Sequence, residues 1–370
     1  MNRRLVGLAL VVALFVCGMA PGASAKPPRG FYGVTPQTDL TKKDFKLMGR
    51  AKVGTLRVNM SWGDLDFPPL TEADYYVEGP YRWWVFDPIV RRAAKQGIRV
   101  LPTVYGTPHW VGVFEGCPTA CYKLGPTSIA GYIAFAQFMK AAAERYGTNG
   151  SFWRENPRLK KMPIRVWQIW NEQNSSDFWK PAPNPDHYAN LVIAGGNAVH
   201  KADPRAKVIL GGMIGEPGQA GKKTVSGWDF LHSLYANPEA RQAFDGIAVH
   251  PYAASLRSIK RTIWRWREEL RKAGAPKDPI WVTEIGWASG GGDHPLNRGP
   301  RGQAELITEA FKWFTQKRKA LRIKNVDYYA WRDAPPKSVH CLWCKKSGLL
   351  KWRNHGKKPA WKAFTRFTKR

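Results

Sequence analysis

Eight short apolar runs punctuate the chain, and between them lie longer stretches in which apolar residues return every third or fourth position. The runs are Gly30–Val34, Thr55–Asn59, Arg99–Val104, Ile164–Trp170, Lys207–Gly212, Gly246–His250, Ile280–Glu284 and Val326–Trp331. Most are continuously apolar rather than alternating, as expected of parallel strands covered on both faces. The clearest helical stretch is Ser128–Tyr146, where Ile129, Tyr132, Ile133, Ala136 and Met139 recur at helical spacing and Gly147 marks the stop. Asp186–Lys201, Leu256–Lys272, Gln303–Lys319 and Pro359–Phe367 repeat the pattern. Strand and helix alternating in this way predict a single-domain α/β fold, the closed (β/α)8 TIM barrel. An open doubly wound sheet is the rival, but no Gly-rich phosphate loop follows the first run. Loop lengths favour the barrel. The segments after strands are long (Met60–Arg82, Tyr105–Thr127, Arg332–Lys358), and those before strands are mostly short, apart from Thr148–Pro163. A barrel enlarges its strand-to-helix loops because they ring its mouth.

The beginning of the chain follows another pattern. Asn2-Arg3-Arg4 precedes a nearly unbroken apolar stretch from Leu5 to Ala20, and Ala23-Ser24-Ala25 has the small-x-small form of a cleavage site. Residues 1–25 are therefore expected to be a secretory signal peptide, leaving 26–370 as the exported barrel domain. The apolar stretch is short for a membrane span of about 20 residues. No second run approaches that length, so no transmembrane span is expected after processing.

Composition changes the picture in two respects. With 58 Lys and Arg against 28 Asp and Glu, the formal net charge is +30, which predicts attraction to anionic surfaces such as acidic polysaccharides, cell-wall polymers or phospholipid head groups. Nucleic acid is not expected as a partner, because no zinc-finger spacing, RRM-like aromatic motif or basic zipper is present. Cys117, Cys121, Cys341 and Cys344 form an even set in an exported chain. Two local bridges, Cys117–Cys121 and Cys341–Cys344, are the preferred pairing; crossed pairing and a four-thiolate zinc site are the alternatives.

The candidate chemistry lies at two strand ends. Trp167-Gln168-Ile169-Trp170-Asn171-Glu172 and Trp281-Val282-Thr283-Glu284-Ile285-Gly286-Trp287 each deliver a glutamate from an apolar run to a rim, on the fourth and seventh strands. Two carboxyls over one opening, one protonated and one ionised, can cleave a glycosidic bond. Trp170-Asn171-Glu172-Gln173-Asn174 resembles the W-N-E-P-N motif of the clan of retaining glycoside hydrolases with glutamates on strands four and seven, with Gln173 in place of the proline. Families 39 and 5 of that clan, which include β-xylosidases, cellulases and exopolysaccharide hydrolases, are the most similar, and the likeness runs from Phe31 to about Phe367.

The resemblance implies Glu172 as acid/base, Glu284 as nucleophile, and Asn171 as the partner of a sugar 2-hydroxyl. It also suggests that His250 and Tyr252 orient the nucleophile. Arg57, inside an apolar strand, needs a buried carboxylate; Glu284 is the natural one, with another acid as the alternative. Trp331 is expected as a sugar-stacking floor, His109 and Trp110 as contacts to a sugar hydroxyl and face, and Trp62, Trp83 and Trp84 as outer subsites. No cofactor or metal is expected. The reading is a secreted hydrolase of β-type bonds in a polysaccharide or oligosaccharide. Its rivals are a non-catalytic carbohydrate-binding barrel and a transglycosylase sharing the covalent intermediate.

Overall fold

In a computed structural model, residues 26–66, 81–114, 116–117, 121–216, 224–337 and 341–369 are described; the expected leader lies outside them. Eight strands close a barrel: β1 (Tyr32–Thr35), β2 (Thr55–Ser61), β3 (Arg99–Tyr105), β4 (Val166–Ile169), β5 (Lys207–Met213), β6 (Gly246–Val249), β7 (Ile280–Ile285) and β8 (Ile323–Tyr329). Every neighbouring pair is parallel, and β1 closes against β8 with Gly33 opposite Asp327. This is the expected (β/α)8 fold.

Helices surround the strands: α1 (Lys42–Arg50), α2 (Trp62–Leu65), α3 (Trp83–Lys95), α4 (His109–Phe114), α5 (Ile129–Tyr146), α6 (Ser151–Glu155), α7 (Pro185–Ala202), α8 (Gly227–Ala236), α9 (Pro238–Ala243), α10 (Leu256–Lys272), α11 (Gly299–Lys317) and α12 (Pro359–Thr368). Their ends follow local chemistry. Ser128 caps α5 by accepting from the Gly131 amide at 3.0 Å, and Gly147 ends it. Ser255 caps α10 in the same way. Among the described residues no helix is long and apolar enough to cross a membrane.

Two separate apolar regions hold the barrel. The larger lies between strands and helices. The smaller, Leu101, Ile209, Ala248 and Trp281, plugs the barrel interior near the starts of the strands. Above this plug the interior turns polar: Arg57, Gln168, Thr283 and Asp327 are all buried there. The polar layer supports the rim from below. Both local disulfides, Cys117–Cys121 and Cys341–Cys344, are formed.

One strand departs from expectation. β8 runs Ile323–Tyr329 rather than Val326–Trp331. Lys324 and Asn325 interrupt its apolar character, and the exposed Lys324 stands at the end where the barrel starts. Trp331 therefore lies beyond the strand.

Candidate active site

Glu172 leaves β4 through a turn that ordinary backbone does not favour. Trp170 has φ 68° and Glu172 φ 44°, left-handed values that non-glycine residues adopt at a cost. The turn is tied to β5: the Glu172 amide donates to Gly212 O at 3.1 Å, and Asn174 Nδ2 donates to Ile214 O at 2.8 Å. Gly211 and Gly212 make room for this approach. A Cβ on Gly211 would strike Gln173, and one on Gly212 would strike the His250 ring. Gln173, standing where the resembling motif has proline, is fully buried beside Gly211.

Glu284 reaches the same opening from β7. Arg57 on β2 crosses the interior and binds three groups at once: Nη1 to Glu284 Oε1 at 2.6 Å, Nη2 to Asn171 Oδ1 at 2.7 Å, and Nε to Gln168 Oε1 at 2.9 Å. Tyr252 donates to the other Glu284 oxygen at 2.6 Å. His250 lies between the two carboxyls. Its Nδ1 is 2.7 Å from Glu172 Oε1, and its Nε2 is 3.1 Å from Thr283 Oγ1 and 3.8 Å from Glu284 Oε1. One oxygen of each carboxyl and one His250 nitrogen all fall within 4.8 Å of one another. The Glu172 and Glu284 side chains keep 12% and 13% of their surface exposed, so both are open to a ligand.

The environments push the two carboxyls apart. Burial raises the Glu172 carboxyl above the usual carboxylate range and the Glu284 charge adds to this, while His250 opposes without reversing it. Burial also acts on Glu284, but the charges of His250 and Arg57, with hydrogen bonds from Tyr252 and Arg57, outweigh it and hold Glu284 low. The Tyr252 hydroxyl is buried and faces Glu284, which keeps it protonated and therefore a donor. Glu172 is thus set to hold a proton and Glu284 to remain negative.

The same three side chains could in principle reach a cation. Both Glu284 oxygens are already engaged, however, one by a guanidinium and one by a phenol. A metal there would have to displace Arg57 or share a carboxylate oxygen with it, so the donor set fits a proton-transfer pair better than a metal centre.

Glu172, Glu284, Asn171, Arg57, His250 and Tyr252 are brought together as the sequence suggests. The tryptophans are not. Trp331 is fully buried, its Nε1 donates to Asp44 Oδ1 at 2.9 Å, and it packs on Trp361, so it cannot be a sugar floor. Trp62 is likewise buried and bound to Asp66. Trp83 packs against Phe138 and Tyr146, while Trp84 is exposed. At the start of α4, His109 is exposed with Nδ1 3.7 Å from Cys121 Sγ, and Trp110 packs half-buried on the main core.

Other residues take the places expected of those tryptophans. Tyr329, at the end of β8, and Trp343 stand beside Tyr252, with ring centroids 6.3 and 5.2 Å from it. Trp343 lies between the two cysteines of the Cys341–Cys344 bridge, which holds its loop. Gln168, Thr283 and Asp327 complete the support below. Burial pushes the Asp327 carboxyl up to about 8 despite its bond from Asn325 and the nearby Arg57. A polar residue at an inward strand position was the available signal for all three, as it was for Arg57.

Residues 198–346 match the model of a glycosyl hydrolase catalytic core, a span that takes in His250, Tyr252 and Glu284. Solved structures share the fold. A family 39 glycoside hydrolase from Bacteroides cellulosilyticus WH2 is 20% identical, with TM-score 0.59 over 93% of this chain and 64% of that one. A monomeric β-xylosidase from Caulobacter crescentus CB15 is 16% identical, with TM-score 0.64 over 92% and 68%. A GH5_18 variant from Bifidobacterium longum, solved with Manβ1-4GlcNAc, is 11% identical, with TM-score 0.62 over 91% and 77%. The chain thus spans somewhat under two thirds of the length of the first of these. No curated protein matches it in sequence. The match and the fold agree with the resemblance to glycoside hydrolases that the Trp170–Asn174 motif carries.

Proposed function

We propose that the protein is a retaining O-glycoside hydrolase that cleaves β-type bonds of an oligosaccharide or polysaccharide by double displacement. The observation that carries this reading is the pair of carboxyl oxygens within 4.8 Å of each other, on side chains whose surroundings favour opposite protonation states. Inverting enzymes hold their carboxyls about 6.5–9.5 Å apart to admit a water, whereas about 5–5.5 Å suits a carboxylate that attacks the sugar itself.

Glu284 attacks the anomeric carbon while Glu172 gives its proton to the departing oxygen, leaving a glycosyl ester on Glu284. Glu172, now ionised, takes a proton from water as that water attacks the same carbon and releases Glu284. Arg57 and Tyr252 hold Glu284 ionised and aimed. Asn171, fixed by Arg57, is positioned to meet the sugar 2-hydroxyl. Tyr252, Tyr329 and Trp343 offer aromatic surface on one flank of the pair. The basic start, apolar stretch and small-residue cleavage site support export, and the net charge supports retention on an anionic wall.

A panel of 2-deoxy-2-fluoro aryl β-glycosides tests the mechanism. One of them should label Glu284 covalently, as peptide mapping reads. Azide should restore turnover to Glu172→Ala on an activated aryl glycoside, and Glu284→Gln should be folded and inactive. Glycan binding with no label and no turnover across the panel would point to a non-catalytic barrel. Products built on added acceptor sugars, in place of hydrolysis, would point to a transglycosylase.

A further inference from the structure

A cavity of about 900 Å³ opens at the other end of the barrel, where the strands begin. Eight of its twenty-one lining residues are Lys or Arg, against 58 of 370 in the whole chain, so positive charge is concentrated there more than twofold. Strand starts contribute Arg99, Lys207 and Lys324, with Arg322 just before β8; the segment before β4 contributes Lys160, Lys161 and Arg165. Arg29 comes from the segment before β1.

Among the described residues lining it Asp245 is the one acid, and it is already spoken for, with Lys207 at 2.7 Å and His200 at 2.9 Å. Among the described residues Arg29, Arg99, Lys160, Lys161, Arg322 and Lys324 have no carboxylate partner, and all six are exposed. Like charges gathered without counter-charges repel and work against the compact state. Residues at this end of a barrel ordinarily serve stability, as Lys207 does through Asp245; six cations without a carboxylate partner add charge repulsion instead, which an anionic ligand would relieve.

We propose that the cavity is a second binding site, separate from the catalytic mouth, for a glycan bearing closely spaced carboxylate or phosphate groups. A single exposed ion pair contributes little net free energy. A lone anion would therefore hold poorly, while a polymer engaging several cations together gains from their linkage. The lining favours a glycan over a nucleic acid. Among the described residues lining it the one aromatic, Trp281, is 7% exposed and offers bases little stacking surface. With the catalytic pair at the opposite end, a polymer held here leaves the mouth open. The proposal does not depend on the catalytic reading.

The test is binding of the full mature chain to polygalacturonate and to a phosphomannan, with neutral dextran as control. The triple variant K160E/K161E/K324E should bind the preferred polyanion at least about tenfold more weakly, because three of the linked contacts are reversed. A matched triple on α1, K42E/K43E/K46E, changes net charge equally but lies outside the cavity, and should lose less than about threefold. Hydrolysis of any neutral aryl glycoside that the wild type turns over should be unchanged in both. Equal losses in the two triples, binding of neither polyanion, or tighter binding of a single-stranded oligonucleotide than of either would each overturn the proposal.

Discussion

Replacing Arg57 separates charge from geometry at the nucleophile. Its guanidinium touches Glu284 Oε1 at 2.6 Å in a barrel interior largely closed to water. At about 4 Å between charge centres and an effective dielectric of about 20, that attraction is roughly 4 kcal/mol. Water entering the vacated space would recover part of it, and what remains should raise the Glu284 pKa in Arg57→Met. The sign follows directly: with less positive charge nearby, the nucleophile is protonated at higher pH, and the acidic limb of kcat/KM moves up. Arg57→Lys retains the charge but cannot span Glu284, Asn171 and Gln168 together. Its acidic limb should stay within about half a unit of wild type while kcat falls, since Asn171 loses its anchor. The assay is a pH profile of kcat/KM on an activated aryl glycoside, with thermal melts as the folding check. The melts matter because an unpaired buried partner costs about 3–5 kcal/mol. Coincident acidic limbs for a folded Arg57→Met and wild type would refute the reasoning; if Arg57→Met does not fold, a displaced limb in Arg57→Lys would do so.

Three further outcomes follow from the same geometry. The Asp327 carboxyl, raised to about 8 by burial, binds its proton more tightly in the folded than in the unfolded chain, so wild-type stability should fall as pH rises from about 4 to 8. Asp327→Asn keeps an acceptor for Asn325 and removes that titration; its advantage in unfolding free energy, read from urea titrations, should widen across this window to a few kcal/mol, and a constant gap would count against it. Tyr252→Phe removes a charge-assisted bond worth about 1.5–3 kcal/mol, so kcat/KM should drop about 10- to 100-fold with the melt little changed, and an unaltered kcat would contradict the assignment. Trp331→Phe loses the bond to Asp44 and core volume, so it should cost about 2–4 kcal/mol of stability and leave KM alone. A raised KM with an unchanged melt would restore Trp331 to the substrate site.

The barrel was legible because its strands are buried on both faces and therefore read as apolar runs. Legibility failed where that cause lapsed. β8 opens with Ile323-Lys324-Asn325, an outward lysine at the basic end and an inward asparagine bound to Gly30 O and Phe31 O. The apolar window therefore settled too late and drew Trp331 into the strand. Inward positions on a strand recur every second residue, which places Asn325, Asp327 and Tyr329 on one face. The rule ends with the pairing at Tyr329, and Trp331 turns away to Asp44. Tyr329 therefore holds the rim position expected of the tryptophan. Trp343 was beyond this kind of reading, since a long loop stapled by Cys341–Cys344 has no periodicity to announce where its side chains fall.

The catalytic pair was readable for a different reason. A closed parallel ring fixes where strand ends lie, so a glutamate ending the fourth strand and one ending the seventh must face a common opening whatever the loops do. What spacing could not convey is how the two become unequal. That depends on Arg57, which reaches across from β2 to the one carboxyl and to the residue beside the other, and on His250, which sits in contact with both. Arg57 could be picked out as a charge where the strand should be apolar. The same argument applied to Gln168 and Asp327 would have uncovered the polar layer beneath the site. An inward polar residue on a barrel strand is therefore a signal in its own right: burial makes it costly unless a partner is waiting, and for Gln168 that partner is Arg57, which carries the link on to Glu284.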